Sequence, residues 1–417
     1  MSAAKPEGLK RSLSWSAIGY GVYMLSQIAM IMIMTRLAPL EDVARYGVAL
    51  SVATIVLTFT NLNLRMGNVT DTTSIHRSGV YVATRILSTS LAMVGIAILS
   101  WIFGSDLRGV EVGLIVGVMK CAEALCDLFY SNYQKAGRMV LMARSLMLRG
   151  PIAITLFGVV LYATGDIRIA LVSQIVVWWS VLLLHELPQA ARLADIRPEF
   201  DLGQIRKLVV ESLPLGFAGF LAAVTINSPR LIVAQILGLS EAGIYTSVSY
   251  ILQAGTAFSS SVNRTIAHRL AKSFQSGNTA AFYGLIFKTA KVMGAVGIVA
   301  ILLSLLGGQT FLTLAFGPEF SDQKTLFVLL CVALAGRLLI PVLQTGLMAQ
   351  RRFMLFARFR FAIMILMVAA CSAGAYLGGM IGVSVALMIV IFVQVVVLYV
   401  LVKGQRPPLP DPGTEGQ

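Results

Sequence analysis

Three ionisable residues, Lys120, Glu123 and Asp127, stand three and four apart inside the otherwise apolar stretch VMKCAEALCDLFYSNYQ at residues 118–134. At about 100° per residue they share one side of a helix with Ser131 and Gln134. Such groups cost roughly 2.5–3.5 kcal/mol each at bilayer depth on insertion scales, so the stripe predicts a helix turned toward protein or toward a water-filled path. The chemistry it offers is non-covalent: a charged cavity that binds a charged ligand.

Four further bases fall inside apolar runs: Arg85, Arg149, Arg230 and Arg337. Counted from the ends of their runs, Lys120 and Arg337 belong near mid-depth, Arg85 and Arg149 toward one end and Arg230 toward the other. Together the five could line a basic path. Plainer roles compete with this one: Arg85 and Arg149 are close enough to a span end to snorkel, Asp127 and Arg149 lie at similar depth in neighbouring spans, and Lys120 and Glu123 can neutralise each other. Only Glu123 and Asp127 among the acids lie well inside spans. The excess of bases suits an anionic passenger such as a phosphate or a carboxylated sugar, and side-chain amides such as Gln27, Asn61, Asn227 and Gln344 suit hydroxyl-rich ligands as well as interhelical packing. Catalysis finds little footing. His76, His185 and His268 have no metal-ligand neighbour at useful spacing, and there is no Walker loop, nucleophile elbow or metal motif.

These residues are carried by an unusually apolar chain, 57% hydrophobic and only 12% charged over 417 residues, with a mean hydropathy of +0.82. A soluble globule of this size is excluded. Twelve runs are long enough to cross a bilayer: 13–36, 42–64, 79–103, 110–133, 141–164, 167–187, 207–237, 241–266, 283–306, 325–350, 355–377 and 380–402. The net charge of +14 is dispersed in short clusters with no nucleic-acid-binding signature, so it reads as topology. With the N-terminus in the cytoplasm, only Arg36, Arg45, Arg108, Arg168 and Lys324 of the 33 Lys and Arg fall in outer connections; five are inside spans and the rest are on the inner side. Both termini are therefore expected in the cytoplasm. The first apolar run has no cleavage pattern after it and is expected to remain as a span. Cys121, Cys126, Cys331 and Cys371 lie within spans and read as small packing residues.

The longest polar connection in mid-chain, about 188–206, divides the spans six and six. The expected organisation is an N-tail (1–12), a six-helix lobe (13–187), a cytoplasmic linker (188–206), a second six-helix lobe (207–402) and a polar C-tail (403–417). LAPLEDVARYGVALS from Leu37 and LGLSEAGIYTSVS from Leu237 match at offsets of 200 and 199, so the fold class expected is an all-α polytopic membrane protein of two lobes related by a parallel repeat. The run at 207–237, with Pro214 and Pro229, should be bent. Gly374, Gly378 and Gly382 should serve close packing.

The twelve spans in two similar halves, TRLAPLEDVARYG after the first span and INSPRLIVAQILGLSEAGIYTSVSYIL across the seventh and eighth resemble the polysaccharide flippases of the multidrug, oligosaccharidyl-lipid and polysaccharide exporter superfamily. In that family the end of the seventh span carries an Asp-Arg pair. Arg230 matches the arginine, while Ser228 and Pro229 stand where the aspartate belongs, so the resemblance supplies no coupling acid there. It implies a transporter rather than an enzyme, without cofactor or metal, in the bacterial cytoplasmic membrane. Its substrate would be a polyprenyl-pyrophosphate-linked oligosaccharide for cell-surface polysaccharide, moved to the outer leaflet by alternating access, and its partners would be a polysaccharide polymerase and export proteins. Arg85, Lys120, Arg149, Arg230 and Arg337 would line the basic path, and Glu123 and Asp127 would be charge partners or proton carriers. Two other classes stay in view: a cation-coupled drug exporter of the same superfamily, against which the excess of bases argues, and a membrane polymerase or glycosyltransferase, which would carry a sizeable outer loop.

Overall fold

The computed structural model describes residues 9–71, 75–350 and 352–404. Most of both tails and Arg351 lie outside the described residues, as do the side chains of Lys10, Arg11, Arg264 and His268. Among the described residues there are helices and turns only: α1 (Leu9–Leu37), α2 (Leu40–Thr60), α3 (Leu64–Thr70), α4 (Ser78–Phe103), α5 (Leu107–Lys135), α6 (Met139–Thr164), α7 (Ile167–Val181), a π turn (Leu182–Glu186), α8 (Leu187–Ala191), α9 (Leu202–Ile236), α10 (Leu239–Gln275), α11 (Thr279–Phe316), a 3-10 turn (Pro318–Gln323), α12 (Lys324–Ala349) and α13 (Phe353–Lys403).

Nine of the described helices are long and apolar enough to cross a membrane by length and composition. α5, with its charged stripe, and the hydroxyl-rich α10 add two of sufficient length. α13 holds two crossings, because Gly378 and Gly379 leave helical geometry at its middle. The chain is thus a multi-pass, all-α membrane protein with the twelve crossings expected. At the α13 reversal a Cβ on Gly382 would lie 2.0 Å from the Gly374 carbonyl oxygen, so the two legs touch through their backbones.

Three local expectations give way. The connection expected after residue 306 is helical, and α11 runs on to Phe316 before Gly317, at φ +118°, ends it. The connection expected over 267–282 shrinks to 276–278, where Gly277 takes a left-handed φ of +70° and Asn278 caps α11 through the Ala281 N–H. Past Thr60 the chain does not simply continue the second span: Leu62 and Asn63 adopt φ near +50° and start the short α3. The long α9 is one helix through both Pro214 and Pro229.

Two compact units divide the chain at Gly243/Ile244. The polar connection at 188–206 and α9 belong to the first unit, where α9 packs on α2 and α4 and the connection binds back to α4, Glu199 donating its N–H to the Gly79 carbonyl at 3.1 Å. In the first unit α1 lies on α6 and α5 is flanked by α2, α3, α4 and α7. Small residues set the α1–α6 approach: a Cβ on Gly19 would come within 2.7 Å of Ala143 Cα, and one on Gly150 within 2.7 Å of Ser26 Oγ. In the second unit α12 sits between α11 and α13. Asp106, Asp166 and Asp201 open α5, α7 and α9 by accepting backbone N–H bonds. All four cysteines are free and buried.

Candidate functional site

The α5 stripe is the spine of a polar site inside the first unit. Lys120 Nζ meets Glu123 Oε2 at 2.5 Å, and Glu123 Oε1 accepts from the Tyr23 hydroxyl of α1 at 3.2 Å. One turn on, Asp127 Oδ1 accepts from Arg65 of α3 at 2.9 Å. Arg65 also reaches the Tyr20 hydroxyl at 3.4 Å and Met142 Sδ at 3.5 Å, and lies over the Tyr130 ring. A turn further, Ser131 Oγ and Asn132 Oδ1 accept from Asn68 Nδ2 at 2.6 and 3.0 Å, while Lys135 Nζ donates to Asn68 Oδ1 at 2.9 Å. The seven-residue α3 thus sets Arg65 and Asn68, three apart, against successive turns of α5. Gln134, the last member of the stripe, is exposed.

Arg149 does not meet Asp127. Its guanidinium stacks 4.0 Å from the Trp178 ring centroid and 5.2 Å from that of Tyr23, it is 1% exposed, and Nε and Nη1 make no hydrogen bond. Trp178 is fixed in turn by Gln174, which accepts its Nε1–H at 3.3 Å and donates to the Ala153 carbonyl at 2.7 Å. The α1–α6 approach brings the Tyr23 face to Arg149, and Arg65 takes the partner that depth counting gave to Arg149.

The other bases go elsewhere. Arg85 is wholly buried on α4, donates to Asn61 Oδ1 at the end of α2, and keeps Nε and Nη2 unpartnered. Arg230, 5% exposed on α9, donates to Ser51 Oγ of α2 at 3.3 Å. Arg337 stands at the middle of α12 in the second unit, one turn before Pro341, 9% exposed, with Nε donating to Thr256 Oγ1 of α10 at 2.9 Å. Beside it Ser259 Oγ donates to the Leu338 carbonyl at 2.7 Å and Asn263 Nδ2 to Thr345 Oγ1 at 2.5 Å. Lys120, Glu123, Asp127, Tyr23 and Arg149 therefore converge with the unforeseen Arg65 in one site. Arg85 and Arg230 lie outside it in the same unit, and Arg337 belongs to the second unit.

The acid inventory read from sequence is too short. Asp42 and Glu186 are also buried, at 1% and 0% exposure. Glu186 ends the π turn after α7, where its Oε2 accepts from Tyr133 at 2.6 Å; the turn was not visible in the hydropathy pattern. Asp42 is held by Arg45 at 2.7 Å and Arg108 at 3.0 Å. The same network continues through Asp106 to Arg45 at 2.5 Å and Asp166 to Arg168 at 2.8 Å. The Asp106 and Asp166 carboxyls sit below the usual carboxylate range, chiefly because Arg45 and Arg168 hydrogen-bond them. At the opposite end of the unit His76 is buried, its Nε2 3.2 Å from Glu211. Asp71 beside it is also lowered: burial opposes the shift, and the backbone N–H groups of His76 and Ile75 outweigh it.

The fold is shared with solved membrane transporters and with a lipid flippase. The lipid II flippase MurJ in an inward closed conformation superimposes with a TM-score of 0.73 at 12% identity, over 93% of this chain and 87% of that one. An inward-facing multidrug resistance transporter of the MATE family, in the multidrug, oligosaccharidyl-lipid and polysaccharide exporter superfamily, gives 0.69 at 11% identity, over 93% and 98%. In sequence the chain is similar to the capsular polysaccharide biosynthesis protein CapF of Staphylococcus aureus, 22% identical over 313 residues, which is 74% of this chain and 78% of that protein. No family model matches. These likenesses fit the polysaccharide-flippase resemblance.

Proposed function

We propose that the protein is a flippase of the bacterial cytoplasmic membrane that moves a polyprenyl-(pyro)phosphate-linked oligosaccharide from the cytoplasmic to the outer leaflet by alternating access, for O-antigen, capsule or exopolysaccharide assembly. The observation that carries the reading is Arg337. It is a guanidinium at the middle of a membrane-crossing helix, held by a threonine hydroxyl, with no carboxylate among the described residues within ion-pair distance. An unneutralised cation at that depth is costly unless an anion visits it. The (pyro)phosphate supplies that anion, and the hydroxyl and amide groups of Thr256, Asn263 and Thr345 suit sugar. In the first unit Lys120, Glu123, Arg65 and Asp127 keep 17%, 31%, 21% and 38% of their side chains exposed, so this paired set offers both donors and acceptors to sugar. Arg149 stiffens it from behind, Arg85 and Arg230 hold the helices around it, and Glu123 and Asp127 act as charge partners.

The neighbours in fold are transporters and a flippase, and no catalytic role is assigned to any residue. A drug exporter for cations needs an uncompensated acid, whereas both accessible carboxylates here already hold a base. The natural partners are the lipid-linked substrate, the bilayer, and the polymerase and export proteins that use the product, with both termini in the cytoplasm.

The test is translocation of a labelled polyprenyl-pyrophosphate oligosaccharide in proteoliposomes. Arg337→Ala is expected to lower the rate at least tenfold, about 1.4 kcal/mol or more, with Lys120→Ala affected less. Equal rates in wild type and Arg337→Ala would remove the anion site, and cation efflux without sugar movement would favour the drug exporter.

A further inference from the structure

Beyond its interior, the second unit carries a second basic feature on its outer surface. α11 has 38 residues, so it is about 57 Å long, against about 30 Å of bilayer hydrocarbon. Its exposed apolar side chains run from Val292 to Leu314, which marks the stretch in contact with acyl chains. Lys288 and Lys291, one turn apart and both exposed, stand at the edge of that band beside exposed Phe287. The end of α13 reaches the same place. The Phe287 and Tyr399 rings are 6.2 Å apart, and Tyr283 Oη donates to the Val402 carbonyl at 3.3 Å. Lys403 Nζ lies 6.0 Å from the Tyr399 ring centroid and is exposed. On α13 the exposed Val396 and Val400 continue the apolar band up to Lys403. Arg352 and Gln350 clamp this helix end by donating to the Leu401 and Val402 carbonyls at 3.1 and 2.8 Å.

Lys288 and Lys291 follow Phe287 on α11 and Lys403 lies near the Tyr399 ring, so three ammonium groups belong to the two helix segments that the Phe287–Tyr399 contact joins. Among the described residues no carboxylate pairs with them, and the acids of this unit with described positions, Glu319 and Asp322, are in the 3-10 turn at the other end of α11. Topology alone places bases on the inner side; here three of them lie on two helix segments tied together by the Phe287–Tyr399 contact and the Tyr283–Val402 hydrogen bond. We propose that Lys288, Lys291 and Lys403, with Phe287 and Tyr399, form a binding site for the headgroup of an anionic glycerophospholipid, whose acyl chains lie along the exposed valines of α11 and α13. A phosphodiester matches the three uncompensated charges, tyrosine suits the headgroup level, and the apolar strip begins where a lipid's chains begin. The site is separate from Arg337 and does not depend on the flippase reading.

The experiment is native mass spectrometry of the detergent-solubilised full chain titrated with equimolar phosphatidylglycerol and phosphatidylcholine. At about fivefold per basic group, three lysines give a preference for the anionic lipid of order a hundredfold at low salt. The triple variant Lys288→Gln/Lys291→Gln/Lys403→Gln should lose most of it, and Lys403→Gln alone about fivefold. Lys324→Gln, at the far end of the unit, should lose none, and the triple Lys→Arg variant should keep the preference. Equal retention of the two lipids by wild type, or an undiminished preference in the triple Gln variant and in Lys403→Gln, would overturn the proposal. So would displacement of phosphatidylglycerol by a stoichiometric amount of polyprenyl phosphate, because the patch would then serve substrate rather than membrane lipid.

Discussion

The two compact units differ in how many acids they set beside their bases. Up to Gly243 the chain has twenty Lys and Arg against fifteen Asp and Glu; from Ile244 it has thirteen against four. In the first unit Lys120 pairs with Glu123 and Arg65 with Asp127, and Arg149 spreads its charge over two aromatic faces, while Arg85 has an amide partner and Arg230 a hydroxyl. In the second no acid stands in any described α-helix beyond residue 243, and Arg337 leans on a hydroxyl. A paired charge is discharged locally and can stay buried through a transport cycle. An unpaired one leaves a free-energy gap that a visiting anion can fill. On the reading proposed above, the first unit would supply polar scaffolding and hydroxyl recognition and the second phosphate recognition.

The strongest way to break this contrast is to make the second unit resemble the first. Thr256→Asp places a carboxylate where Arg337 Nε now finds a hydroxyl at 2.9 Å. Folding should be unharmed or improved, because the arginine gains a partner, while translocation of lipid-linked oligosaccharide should fall about a hundredfold, about 2.7 kcal/mol. Thr256→Asn, similar in size and neutral, should keep most of the activity. The measurement is the initial flipping rate in proteoliposomes at matched protein insertion, and equal rates for Thr256→Asp and Thr256→Asn would end the assignment of phosphate to Arg337.

The converse change unpairs the first unit. Glu123→Ala removes the partner of Lys120 and the acceptor of Tyr23, leaving two cations near Trp178. With the carboxylate about one-third exposed, the cost should be about 1–3 kcal/mol of stability, read as earlier thermal unfolding in detergent. The swapped pair Lys120→Glu/Glu123→Lys should recover most of it. Recovery of stability without recovery of transport would show that the order of charges along α5 matters to the passenger; recovery of both would make the pair purely structural.

This division was half legible in the sequence. The α5 stripe announced itself because charges at spacings of three and four stand out in an apolar run, and Arg337 because nothing acidic is near it in the chain. Arg65 did not, since it lies just past an apolar run and reads as a topological marker. Only the left-handed turn at Leu62 and Asn63, which folds α3 back on α5, brings it to Asp127. The same limit hides the neighbour of Arg149: depth counting gives height along a helix and not the direction a side chain takes around it, and Arg149 turns to Trp178 and Tyr23 rather than to Asp127. Glu186 stayed hidden because a π turn changes helix phase without changing composition. The existence of the crossings was readable, including the reversal at Gly378 and Gly379, because span length and apolarity are set by the bilayer, while the ends of α10 and α11 were not, since both helices run nine or ten residues beyond their apolar runs.

The smallest expected effect concerns the ion pairs at the end of the first unit where α5 and α7 begin, a network without counterpart among the described residues of the second. Asp106 and Asp166 have folded pKa values lowered by Arg45 and Arg168. A carboxylate of this kind stabilises the fold above its unfolded value of about 3.9 and loses that contribution as the pH falls through the lower folded value. Unfolding temperature should therefore be insensitive to these groups between pH 5 and pH 8, roughly the range above their titration, and should drop below about pH 4. In Asp106→Asn/Asp166→Asn the caps on Gly109 and Arg168 N–H survive, since an amide oxygen accepts as a carboxylate does, but the acid-side drop should shrink. Both aspartates keep part of their side chain in water, 38% and 23% exposed, so the difference at pH 7 should be about 1 kcal/mol or less. An unchanged acid limb in the double variant would show that the Asp106 and Asp166 ion pairs do not set the acid sensitivity of the fold.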